Sequence, residues 1–122
     1  MRIVPWLGMA VVLATFAAPQ AHAQSRQFDG RWSVEVVTEQ GGCDRAYRYS
    51  VIVQNGQARY GGPENFDVNG QVRSNGSVTA SIARGQDRAN VSGQLSGNMG
   101  RGTWTTSGGR TCSGYWNAEK RG

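Results

Sequence analysis

The sequence predicts an all-β protein, most simply a small up-and-down antiparallel barrel of about eight strands. After the first 23 residues, apolar and polar residues alternate in short runs, which is the pattern of half-buried strands. Asn55-Gly56 and Asn75-Gly76 separate such runs, as tight hairpin turns do. No stretch of ten residues in this part shows helical periodicity. A sandwich of two sheets is the alternative fold.

The first four predicted strands carry an apolar or aromatic residue at every second position. They are Trp32-Val34-Val36, Tyr47-Tyr49-Val51-Val53, Ala58-Tyr60 and Phe66-Val68-Gly70-Val72. Asn55-Gly56 predicts a type I′ turn between the second and third strands, because both central positions of that turn need a positive φ. The segment 61–65 predicts a loop before the fourth strand.

The last four predicted strands follow the same alternation, with more glycine. They are Val78-Ala80-Ile82, Ala89-Val91-Gly93-Leu95, Gly102-Trp104-Thr106 and Cys112-Gly114-Trp116-Ala118. Turns are predicted at 75–76, 85–87, 97–100 and 107–109. Consecutive hairpins form a meander, and eight strands can close into a barrel whose interior holds side chains or one small ligand.

Residues 1–23 have the three zones of a secretory signal peptide. Arg2 gives a positive start, an apolar run follows, and Ala21-His22-Ala23 is a small-x-small cleavage site. Removing these 23 of 122 residues leaves 99, which we expect to form one barrel domain, 24–122, in the periplasm or the medium. A retained N-terminal anchor is the alternative, whereas cleavage predicts no stable membrane insertion.

Charge and cysteine content agree with export. Loss of Arg2 lowers the net charge from +5 to +4, and the remaining basic residues are spread along the chain, which argues against a nucleic-acid partner. Attraction to anionic envelope components is the sharper interpretation of this charge. Cys43 and Cys112 predict one disulfide within the chain, in an oxidising compartment. The alternative is a disulfide between two chains, whereas we expect a monomer.

The predicted mature chain lacks the groups that most enzymes use. The one histidine of the sequence, His22, lies in the signal, so neither a Ser-His-Asp nor a Cys-His site survives cleavage. Zinc sites built on histidine or free thiolate fail for the same reason. We therefore expect no enzyme, metal or cofactor. A carboxylate enzyme using Glu64 and Asp67 is the remote alternative.

Aromatic residues are the candidate ligand contacts. They are Tyr47, Tyr49, Tyr60, Trp104 and Trp116. Aromatic walls suit a flat or apolar ligand if the barrel interior is partly open. The plainer interpretation is that these side chains simply fill the interior. Three G-x-W triplets, at 30–32, 102–104 and 114–116, place a glycine on the same face as each tryptophan and leave room for a neighbouring indole.

Two motifs resemble those of a set of short exported alphaproteobacterial proteins. They are F-D-G-x-W at 28–32 and C-x-G-x-W at 112–116. The first triplet, Gly30-Arg31-Trp32, is also similar to the first strand of calycin-like barrels, which include lipocalins, avidins and small bacterial metalloprotease inhibitors. That resemblance implies a barrel, and in lipocalins a late basic residue stacks over the tryptophan. Here Arg110 or Arg121 would take that place over Trp32.

The predicted function is binding rather than catalysis. The first hypothesis is a module for a small or envelope-derived ligand inside the barrel. The second is a protein-interaction or protease-inhibitor-like module that acts through its loops at 39–45 and 61–66. A filled or a hollow interior distinguishes the two.

Overall fold

A computed structural model describes residues 26–64, 66–109 and 111–122, and the predicted signal peptide 1–23 lies outside the described residues. A 3-10 helix, η1 (Arg26–Phe28), precedes eight strands. These are β1 (Gly30–Gln40), β2 (Ala46–Gln54), β3 (Gln57–Tyr60), β4 (Asp67–Val72), β5 (Ser77–Arg84), β6 (Asp87–Ser96), β7 (Met99–Ser107) and β8 (Ser113–Lys120).

The eight strands form a closed barrel. Each strand pairs antiparallel with the next, and β1 pairs with β8 in a register that sets Val36 opposite Trp116. An open sheet has two edge strands with unpaired backbone groups, and closure into a barrel pairs these strands with each other. The predicted barrel is therefore confirmed and the two-sheet alternative is not the fold.

The turns follow the glycines of the sequence. Asn55 and Gly56 have φ values of 53° and 77°, so the predicted type I′ turn is present. Gly76 instead closes a longer turn, in which its N–H donates to the carbonyl of Arg73 at 2.8 Å. The turn predicted at 97–100 spans only 97–98, because a positive φ of 60° at Gly97 lets two residues join β6 to β7.

Most of the buried apolar residues lie toward one end of the barrel, which we call the closed end. The turns β2–β3, β4–β5 and β6–β7 lie there, as does η1. Phe28 of η1 is 5% exposed, and its carbonyl accepts a hydrogen bond from Trp32 Nε1 at 2.9 Å. Gln27 Nε2 donates to the carbonyl of Ser74 at 2.6 Å, which fastens η1 to the β4–β5 turn. The closed end is thus covered by the start of the described chain.

The opposite end, the open end, carries the connections β1–β2, β3–β4 and β7–β8 and the turn 85–86. The predicted disulfide is present there between Cys43 and Cys112. It ties the β1–β2 loop to the residue before β8. No described residue belongs to a helix that is long and apolar enough to span a membrane.

Candidate ligand-binding cavity

The barrel interior is hollow. A cavity of about 250 Å³ lies between the inward faces of the strands and extends to the open end. Its walls are mostly aliphatic and aromatic, because the alternation of each strand directs one residue in two inward. The side chains of this thin core do not fill the space that eight strands enclose.

Trp32, Trp104 and Trp116 line the cavity, and they are all the tryptophans of residues 24–122. Each indole N–H donates to a backbone carbonyl: Trp32 to Phe28, Trp104 to Val37 at 3.1 Å, and Trp116 to Ser92 at 3.1 Å. Since the polar atom of each ring is satisfied by the wall, the indoles leave apolar surface for the cavity.

Glycines make room for the indole of Trp116. A Cβ atom at Gly93, Gly100 or Gly102 would stand against this ring. Gly102 is also the β7 partner of Trp116, just as Gly114 is the β8 partner of Trp104. The predicted role of the G-x-W triplets, room for a neighbouring indole, is therefore confirmed for Gly102. A Cβ atom at Gly114 would instead meet the backbone of Val37 on β1.

An aromatic cluster lines the cavity toward the open end. The ring centroids of Tyr47 and Tyr49 are 5.6 Å apart, and those of Tyr49 and Phe66 are 5.3 Å apart in an edge-to-face contact. Tyr60 meets Phe66 edge-to-face at 5.2 Å. The guanidinium carbon of Arg84 lies 5.0 Å from the centroid of the same Phe66 ring.

This cluster covers a gap in the barrel wall. Among the described residues, β3 and β4 pair only through Gln57 with Gln71 and Ala58 with Gly70. The strands separate toward the open end, where the contact between Tyr60 and Phe66 spans them. The side wall at this point consists of side chains rather than of paired backbone.

Tyr49 is half-buried within this cluster. Burial raises the pKa of its phenol to about 12, with smaller contributions from Tyr47 and Glu64, while Arg84 acts in the opposite direction. The hydroxyl is therefore neutral and able to donate a hydrogen bond at every physiological pH.

Polar side chains lie at the rim of the cavity, which we call the mouth. They are Arg84, Asp87, Arg88, Thr106 and Ser107. Arg84 and Asp87 are opposite one another where β5 turns into β6. Thr106 holds the segment beside the disulfide, because its Oγ1 accepts the N–H of Cys112 at 2.8 Å.

The structure brings all five predicted ligand contacts together on the cavity wall. Tyr47, Tyr49 and Tyr60 are half-buried, whereas Trp104 and Trp116 are buried. Arg48, between Tyr47 and Tyr49, is exposed, and its guanidinium donates to Ser33 Oγ at 3.1 Å. The described parts of the two loops in the alternative hypothesis lie at the open end as well. The first loop is shorter than the predicted 39–45, because β1 continues to Gln40.

The cation expected over Trp32 is not there in the described part of the chain. Arg121 lies 3.9 Å from Glu119 in an exposed pair, and Arg110 lies outside the described residues. The described ring–cation contact, Arg84 on Phe66, is at the opposite end of the barrel. Sequence reasoning missed Arg84, although the inward series Val78, Ala80, Ile82 could have been extended to it by alternation.

Comparison with known proteins gives no relative. No protein-family model, no curated protein and no solved structure matches this chain. Within residues 26–64, 66–109 and 111–122, no three histidine, cysteine or acidic side chains are grouped so that they could hold a metal ion. The cavity itself is therefore the basis for a functional proposal.

Proposed function

We propose that residues 1–23 direct export and that the remaining 99 residues bind a small, mainly apolar molecule inside the barrel without chemically changing it. The observation that carries the proposal is the hollow, aromatic-walled interior. Apolar cavities that open at one end, with a few polar groups at the rim, are the usual form of small-molecule sites. The disulfide supports export, because such bonds persist in oxidising compartments.

The volume limits the size of the ligand. At about 250 Å³ the cavity exceeds the roughly 150 Å³ that holds benzene and is below the roughly 300–1,000 Å³ of sites for drug-sized molecules. One substituted aromatic ring or a medium-length acyl chain matches this space. Larger envelope components would fit only through such a part of their structure.

Native mass spectrometry of the protein purified from its own host tests the proposal directly. We expect a mass that begins at Gln24, plus a bound molecule that is released under denaturing conditions. A mass that retains residues 1–23 would overturn export. A persistently empty protein that also binds no added hydrocarbon would overturn the binding function.

Tryptophan fluorescence provides the complementary measurement, because every tryptophan of residues 24–122 lines the cavity. Titration with 1-octanol or 3-phenylpropan-1-ol should shift or quench the emission to saturation. Ala89→Leu adds volume inside the cavity and should weaken binding about tenfold or more. The matched variant Asn90→Leu changes the outward neighbour and should bind as the native protein does.

A further inference from the structure

The cavity is apolar inside and polar at its mouth. On β5 the inward residues are Val78, Ala80 and Ile82, and the series ends in Arg84 at the mouth. An amphipathic molecule would satisfy both zones, with its hydrocarbon inside and its polar group at the rim. The sign of the mouth charges indicates which polar group that is.

Arg84 is the charged group best placed to meet a ligand. Its guanidinium carbon lies over the Phe66 ring, and a contact with a ring does not use up the N–H donors as an ion pair would. In the described part of the chain, no carboxylate lies within ion-pair distance of Arg84. Asp87 Oδ1 is 3.7 Å from the place that a Cβ atom would take at Gly109, so this carboxylate borders the β7–β8 loop.

Tyr49 supplies a second donor beside the same ring. Its centroid is 5.3 Å from that of Phe66, and Arg84 acts electrostatically on its phenol. No described residue accepts a hydrogen bond from the Tyr49 hydroxyl. Two donors around one aromatic ring can bind the two oxygens of a planar anion.

We propose that the ligand is a hydrocarbon carboxylate whose anionic group is bound at the mouth by Arg84 and Tyr49 while its apolar part occupies the cavity. This inference rests on the proposed function. The charged residues that line the cavity, Arg84 and Arg88 against Asp87, leave an excess of one positive charge. The nearby carboxylate of Glu64 is outside this lining and accepts a hydrogen bond from the Tyr60 hydroxyl at 3.2 Å. A cationic group at the mouth would be repelled, and a neutral one would gain less than a carboxylate.

Matched acids and alcohols test the charge of the ligand. The probes are octanoate against 1-octanol and 3-phenylpropanoate against 3-phenylpropan-1-ol, titrated at pH 7 with tryptophan fluorescence as the readout. The native protein should bind an acid about tenfold or more tightly than its alcohol. The preference should decrease as salt is added, since the mouth is open to solvent. A preference confined to octanoate identifies an acyl acid, and one confined to 3-phenylpropanoate an aromatic acid.

Three variants assign the preference to its donors. Arg84→Gln should weaken acid binding about tenfold and alcohol binding by less than about threefold. Tyr49→Phe should weaken acid binding about threefold, because one neutral hydrogen bond is lost. Arg59→Gln removes an exposed arginine that does not line the cavity and should leave the preference as it is.

The outcomes separate the two proposals. If neither acids nor alcohols bind, the binding function itself fails. If alcohols bind as tightly as acids, or if Arg84→Gln keeps the full preference for acids, the anionic ligand is overturned while the binding function stands.

Discussion

The hydroxyl of Tyr49 is a polar atom at the edge of an apolar space, and its protonation is coupled to folding. Burial favours the neutral phenol and raises its pKa to about 12, against about 10 in an unfolded chain. The unfolded state therefore loses this proton first as the pH rises. The stabilising contribution is present in full below pH 10 and is lost between about pH 10 and 12.

Replacing Tyr49 by phenylalanine should flatten this alkaline loss of stability. We expect the free energy of unfolding of Tyr49→Phe to decrease less between pH 9 and 12 than that of the native protein. Urea unfolding at a series of pH values measures the difference. Tyr115→Phe, at a position that is 41% exposed, is the matched control and should follow the native curve. Equal slopes for Tyr49→Phe and the native protein would contradict this account.

Single residues also show how far the sequence determines the site. The inward position of Tyr47, Tyr49, Trp104 and Trp116 followed from alternation alone, and the structure confirms it. Arg84 faces inward by the same alternation, but a charged residue at the end of a strand is usually exposed to solvent, so the sequence did not indicate a role in the cavity. A contact such as that of Arg84 with Phe66 joins residues from β5 and from the loop before β4. No local pattern encodes such a contact.

At the scale of elements, the order and number of strands were predictable, whereas their ends were not. Alternation marks the half-buried middle of a strand, but β7 begins at Met99, and Met99 is 60% exposed. The 3-10 helix η1 was missed as well, because three residues are too few to show a helical period. Yet η1 covers one end of the barrel, so its single buried ring has a large role.

Removing that ring should open the closed end. Phe28→Ala deletes an almost fully buried side chain, and we expect a loss of about 3–5 kcal/mol in the free energy of unfolding. Emission of the native tryptophans should move to longer wavelength, because water can then reach Trp32. The control is Arg26→Ala, which alters an exposed residue of the same helix and should cost less than about 1 kcal/mol. A loss of similar size in both variants would show that η1 does not act as a cover.

The whole molecule depends on closure of the sheet on itself. A sequence with eight alternating runs predicts closure, because the first and last strands can pair only if the sheet curls. Whether the interior is hollow could not be predicted. The cavity volume is the difference between the space that the backbone encloses and the summed volume of the inward side chains from all eight strands. Calculating that difference requires the register of every strand pair. The register here sets glycine opposite tryptophan, and part of the interior remains empty.

The disulfide joins the β1–β2 loop to the residue before β8, across 69 positions of sequence. By the chain-entropy argument, a loop of this length stabilises the folded protein by about 4 kcal/mol. The double variant Cys43→Ser/Cys112→Ser should lose about that much in urea unfolding. Its far-ultraviolet circular dichroism should stay that of the native barrel, since two hydrogen bonds also join Thr106 to Cys112. One runs from the Thr106 N–H to the Cys112 carbonyl, and the other from the Cys112 N–H to Thr106 Oγ1.

The open end should nevertheless be less constrained without the disulfide, because Cys43 lies on the cavity wall. The hydrogen bonds from Thr38 hold the far side of its loop, at the carbonyls of Asp44 and Arg45. We expect bound 3-phenylpropanoate to dissociate several-fold faster from the double variant, measured by stopped-flow fluorescence. A reducing agent should convert the native protein to the same behaviour and have no effect on the variant. Unchanged unfolding and dissociation after reduction would show that the sulfur bridge neither stabilises the barrel nor shapes its mouth.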